Sequence, residues 1–213
     1  METPAKQTEP LTRAAFMLAF DLSKERLTNR GELGYLLRAA ALAELLLAGH
    51  LTDESGKPRA RSAPRHGGLP GVVWEQISTS PPRSWRHWIR KESGKAVRLV
   101  RDELEHDRVI NVERRRFLLF PLTVVTPRKA YLWRRLAERV GQAIRGGRPV
   151  TRMEQDDRVL AALAAAARMK VVLTRTESYR HRKRIEQLSE PVKPITTALR
   201  KNIDAARSAA QAG

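Results

Sequence analysis

Residues 32–48 constrain the fold more than any other stretch of the chain. Leu33, Leu36, Leu37, Ala40, Ala41, Leu45 and Ala48 recur with a period near 3.6, which lines them along one side of an α-helix. Gly49 follows where a left-handed backbone ends a helix at least cost. A helix this rich in Leu and Ala must bury its apolar side against other elements, and the chain supplies more helices. Helical spacing returns over 10–22, 94–106, 128–144, 151–174 and 195–210. Aromatic residues make up only 5% of the chain, so the composition favours helix over a β-sandwich. The expectation is a mainly α fold: a single-domain helical bundle over 10–213, built around a central helix near 151–170. Residues 1–9 are expected to form a disordered tail.

The segments between these helices are read from their breakers. Residues 53–71 are rich in Gly, Pro, Arg and Ser and predict a loop with room for short strand pieces. Residues 72–77 fit a short helix or a strand. After the break at Thr79-Ser80-Pro81-Pro82, Trp85, Trp88 and Ile89 again stand at helical spacing, and Ser93 is placed to cap the helix over 94–106. A β-hairpin is predicted at 108–122. Its first strand is 109–112, its turn Glu113-Arg114-Arg115-Arg116 and its second strand 117–122, with Pro121 and Pro127 as stops. Phe117 and Leu119 against Leu118 and Phe120 make both faces of that second strand apolar, so one face has to meet another surface, internal or intermolecular.

Charge bounds the function. There are 41 Lys and Arg against 23 Asp and Glu, a net +18, and residues 83–148 alone hold 18 basic and 7 acidic side chains. Such an imbalance points to an anionic partner: an acidic membrane surface, a nucleic acid or an acidic protein. The absence of cysteine excludes disulfides and thiolate metal sites. His50, His66, His87, His106 and His181 are scattered without metal-ligand spacing, so no metal and no cofactor is expected. No nucleophile elbow or phosphate-cradling Gly loop is present, so an enzyme is not expected and no catalytic residue is assigned. Glu154, Asp156 and Asp157 open the Ala-rich helix, where acidic residues complement its dipole. Residues 1–9 lack the apolar core of a signal peptide and no run approaches a membrane span, which predicts a cytoplasmic protein.

Three pieces of the chain resemble one known family. The run Leu36-Leu37-Arg38 through Leu42-Ala43-Glu44-Leu45 to Ala48-Gly49-His50-Leu51 is similar to the "L-R-x-x-x-L-x-E-L" helix of the Golgi phosphoprotein 3 domain. Val97-Arg98-Leu99-Val100-Arg101-Asp102-Glu103-Leu104 resembles its "R-x-V-R-x-x-L" helix, followed at the right distance by Val109-Ile110 and Phe117-Leu118-Leu119-Phe120. Thr151-Arg152-Met153 with Val159-Leu160-Ala161-Ala162-Leu163 resembles a later helix start. The resemblance spans about residues 10–210. It implies an adaptor peripherally associated with the membrane that binds phosphatidylinositol 4-phosphate or another acidic headgroup. It also implies binding of the cytosolic tails of membrane proteins, and homo-oligomer formation through the hairpin. Carried over, Arg38, Arg98 and Arg101 stand at the family's headgroup arginines. Its Trp before the first of these helices falls on Asn29, so the headgroup's identity does not carry over.

Taken singly, each of these arginines reads as a solvated or ion-paired face residue, and it is the family spacing that makes them a set; their chemistry fits that set. Guanidinium groups match phosphate oxygens bidentately and stay charged, and Arg98 and Arg101, three apart, share a helix face. Arg86, Arg90, Arg114, Arg115 and Arg116, with Arg83 and Lys91, would extend a basic membrane surface. Phe117, Leu118, Leu119 and Phe120 are candidates for an oligomer or membrane hairpin. Trp85 and Trp88 suit core packing first and an interfacial patch second. An alternative class is a winged-helix-like nucleic-acid binder, with 94–106 as its helix and the Arg114–Arg116 hairpin as its wing. Asp102, Glu103, Glu105 and Asp107 on that helix would repel a DNA backbone, which sets this reading second.

Overall fold

A computed structural model describes residues 9–28, 30–65, 67–117 and 120–212. The expected tail over residues 1–9 lies outside these apart from Glu9, and Asn29 lies outside them too. The helices are α1 (Leu11–Leu18), α2 (Arg30–Leu47), α3 (Gly68–Ser78), α4 (Trp85–Arg90), α5 (Ser93–His106), α6 (Ala130–Arg145), α7 (Gln155–Ala166), α8 (Arg175–Arg180), α9 (Arg182–Ser189) and α10 (Lys193–Ala212). The strands pair as three antiparallel hairpins: β1 (Phe20–Asp21) with β2 (Arg26–Leu27), β3 (Leu51–Glu54) with β4 (Lys57–Ala60), and β5 (Ile110–Phe117) with β6 (Phe120–Pro127).

The mainly α expectation holds, but the central helix is α2 rather than the segment near 151–170. Leu33, Leu36, Leu37, Leu42, Leu45 and the alanines 39–41 and 43 are all buried, so α2 is covered on every side. It packs against α1, α3, α4, α5, α7 and α10. Around this ring α1 touches α5 and α7, α3 touches α5, and α10 touches α4 and α7. The reason lies in side-chain size. Four alanines let neighbouring backbones approach, and at Gly34 a Cβ would stand 2.2 Å from the Ser93 carbonyl oxygen. The start of α5 therefore lies directly on α2. The helix ends as expected: Gly49 has φ +73°, His50 N–H donates to Leu45 C=O at 2.9 Å and Gly49 N–H to Leu46 C=O at 3.2 Å.

Elsewhere the structure redraws boundaries. Part of the loop predicted over 53–71 is the β3–β4 hairpin, whose two-residue turn puts Ser55 and Gly56 at φ 53° and 77°. Residues 72–77 belong to α3. The turn of the long hairpin is not at Glu113–Arg116. Strand β5 runs through the arginines, with Arg114, Arg115 and Arg116 opposite Thr123, Leu122 and Pro121, and Phe117 opposite Phe120. The β-branched run at 123–126 needs a partner strand, and pairing it lengthens the ribbon to eight pairs. Strand β6 ends at Pro127 as expected, whereas Pro121 does not stop it, because each strand of a two-stranded ribbon keeps a free edge for a residue without N–H. The helix predicted to 174 stops at Ala166, where Arg168 takes φ 52° and Met169 N–H donates to Ala164 C=O at 3.1 Å. Stopping there turns Met169, Val172 and Leu173 into the core.

Candidate functional site

The basic surface begins on α4. Ser84 caps it by accepting from the His87 N–H at 3.4 Å. Trp85, Trp88 and Ile89 turn inward, and the Trp85 indole N–H donates to Asp53 at 2.7 Å. With the apolar positions buried, Arg83, Arg86, His87 and Arg90 face outward. Core packing is thus the use made of both tryptophans. Lys91 lies 5.1 Å from the Trp88 ring centroid, a cation–π contact. Arg86 donates to Asn202 on α10 at 3.3 Å. The His87 imidazole is held below its usual pKa, first by desolvation and then by Arg83, Lys91, Arg38 and Arg90. Four cations around one imidazole mark this as a region of positive potential.

Beneath that surface lies Arg38, which is 1% exposed. Its Nε–H donates to the Trp88 carbonyl and a terminal nitrogen donates to Gln76 Oε1 at 3.0 Å. Gln76 in turn donates to Glu92 at 3.1 Å, and Glu92 pairs with Lys95 at 2.9 Å. Burial pulls the Arg38 pKa down to about 10, with Glu92 opposing the shift. Glu92 holds the α4–α5 junction with φ 51°. Ser93, expected as the cap, is the first residue of α5 instead. Arg38, the Trp88 carbonyl, Gln76, Glu92 and Lys95 connect α2, α3, α4 and α5, so Arg38 ties the basic surface to the core rather than standing open in it.

The other two arginines carried over from the resemblance differ from each other. Arg98 is exposed and has no carboxylate partner among the described residues. Arg101 is mostly covered, with its side chain 18% exposed, and donates to Asp102 at 2.7 and 2.9 Å. Arg114 is exposed and forms a two-pronged pair with Glu105 at 2.9 and 3.3 Å. On α5, Asp102 and Glu105 are therefore engaged by Arg101 and Arg114, and among the described residues Arg83, Arg86, Arg90, Lys91 and Arg98 make no ion pair with a carboxylate. Leu118 and Leu119 lie outside the described residues. Arg115, Arg116, Phe117 and Phe120 are placed only by backbone register.

Sequence reasoning missed Gln76 and Glu92 as the link under the surface, because neither sits in a motif. A separate cavity of about 920 Å³ lies between α1, α2, α3 and α5, walled by Leu45, Leu99, Pro64 and Pro70 with Glu44 and Glu103 in its lining. None of the three arginines lines it. Among the described residues no group of three His, Asp or Glu could hold a metal, and no helix is long and apolar enough to cross a membrane. The arrangement can attract phosphate-bearing surfaces through fixed, unpaired guanidinium groups on a rigid helical base. Compared with known proteins, residues 11–206 match the family model described as Golgi phosphoprotein 3 (GPP34). Curated proteins give no match.

Proposed function

Because the chain belongs to the Golgi phosphoprotein 3 family, we propose that it is a peripheral membrane-binding protein that recognises anionic phospholipid headgroups through its α4–α5 face, and that it acts by binding rather than by catalysis. The observation that carries this reading is that Arg83, Arg90 and Lys91 gather around His87 with no carboxylate partner among the described residues, with Arg86 exposed on α4 and Arg98 exposed on α5. Arg98 is the direct phosphate contact. Arg101 joins it by exchanging Asp102 for a headgroup oxygen, and Arg38 acts from below by holding α4 and α5 in place. Near an anionic leaflet each such cation contributes on the order of 1 kcal/mol, an attraction that fades within a Debye length. A phosphoinositide such as phosphatidylinositol 4-phosphate offers the densest phosphate for these forks.

Co-sedimentation with vesicles tests the reading. Retention on phosphatidylserine or phosphoinositide vesicles, none on pure phosphatidylcholine, and a decline with salt are expected. Tight retention on duplex DNA with no vesicle binding would transfer the basic face to a nucleic-acid partner.

A further inference from the structure

A second basic surface stands apart from α4–α5. Residues 175–184 carry five Lys and Arg against one Glu. Most of the groups that are not exposed cations are accounted for internally. Glu177 accepts from the Thr174 N–H and hydroxyl at 2.8 Å each, closing the capping box of α8, and lies 3.5 Å from Arg145. Arg184 donates to the carbonyls of Ala143 and Arg148 at 2.7 Å each, fastening α9 to the end of α6. Arg182 pairs with Glu186 at 3.1 Å. Arg175, Arg180 and Lys183 remain, with Arg148 beside them, all exposed and without a carboxylate partner among the described residues. Tyr179 is 83% exposed and one turn from Arg175.

We infer that this α8–α9 corner is a second docking surface for an acidic bilayer. None of residues 175–189 lines the cavity between α1, α2, α3 and α5, and the corner offers exposed cations and one exposed ring. A single strand of nucleic acid needs a channel with several stacking rings, whereas Tyr179 is the only aromatic residue here. One tyrosine among cations suits the headgroup layer, where its ring and hydroxyl meet both environments. The corner stands on elements other than those of the first surface. In the ring around α2, α1 stands between α5 and α7, α10 between α4 and α7, and α9 packs on α7. Along the other direction the 16 residues of α6 put about 24 Å between the root of the long hairpin and the α8–α9 corner. With one basic patch on α4–α5 and another on α8–α9, one molecule has two places to hold an acidic bilayer, and it bridges two vesicles. The bridging rests on the α4–α5 reading, whereas binding at α8–α9 does not.

The test uses the full chain with phosphatidylcholine vesicles containing phosphatidylserine, reading both co-sedimentation and vesicle clustering by light scattering. Wild type is expected to bind and cluster. Arg175→Glu with Arg180→Glu and Lys183→Glu should bind about ten-fold more weakly and no longer cluster, and Tyr179→Ala should weaken binding in the same direction. Arg90→Glu with Arg98→Glu should also stop clustering while retaining binding through α8–α9. Circular dichroism checks that each variant keeps its helix content. If the α8–α9 variant binds and clusters as wild type does, the inference falls. If the α4–α5 variant behaves as wild type while the α8–α9 variant loses binding, the inference stands and the first face is misassigned. Loss of duplex DNA binding in the α8–α9 variant, with vesicle binding unchanged, would overturn the bilayer assignment of this corner.

Discussion

Arg38 and Arg98 separate two uses of the same side chain. Arg38 has lost its water and holds the Trp88 carbonyl and Gln76, so removing it leaves a buried carbonyl unpaired. Arg38→Met should lower unfolding stability by about 3 kcal/mol, read by chemical denaturation. Arg98 is exposed and contacts no carboxylate, so Arg98→Ala should leave stability within about 0.5 kcal/mol of wild type while weakening vesicle binding. Glu44 makes a different kind of contact. It accepts from the Thr12 N–H at 2.8 Å and so caps α1, whose own N-cap is Pro10 with no capping side chain. Burial raises its carboxyl to about 6 against hydrogen bonds from Thr12 that lower it. The folded value lies above the ordinary 4.5, so the native state binds more protons between the two. Its contribution is complete below 4.5 and is lost as pH rises through about 6. Glu44→Gln keeps an acceptor and removes the titration. Relative to wild type it should gain about 1–2 kcal/mol in thermal or chemical unfolding between pH 4.5 and 7.

At the scale of elements, the contact between α2 and α5 fixes where the basic face sits. Gly34→Ala would drive a methyl into the Ser93 backbone. It should cost about 2 kcal/mol and show as a lowered Tm, unlike an alanine at exposed Gly31, which meets nothing within 4 Å. The helices with a clear apolar period were legible: α2 with its Gly49 stop, α5, α6 and α10 lie within two residues or so of their predicted spans. What was not legible has physical causes. No glycine marks the end of α7, because Arg168 supplies the left-handed residue and burial of Met169, Val172 and Leu173 sets the stop. The β3–β4 hairpin hides in a polar segment whose turn uses Ser55 before Gly56. The turn of the long hairpin was misplaced because a run of charged residues reads as a turn although β-branched residues opposite it demand a strand. The candidate site was legible as charge and spacing. The inward position of Arg38 and the pairing of Arg101 and Arg114 were not, since they depend on Gln76, Asp102 and Glu105 across a tertiary junction.

For the whole molecule, six helices around α2 give a rigid body on which cations can be held apart from the carboxylates that would neutralise them. The net charge of +18 is spread over the chain, yet what matters for docking is where unpaired guanidinium groups gather. Two such places stand out, on α4–α5 and on α8–α9, and both lie within the family match over residues 11–206. The measurement that tests the central claim most directly is co-sedimentation of the Arg90→Glu, Arg98→Glu variant with phosphoinositide vesicles, beside wild type at the same salt. The account predicts affinity at least about ten-fold weaker for the variant, with unchanged circular dichroism and Tm. Equal binding by the two proteins would contradict it.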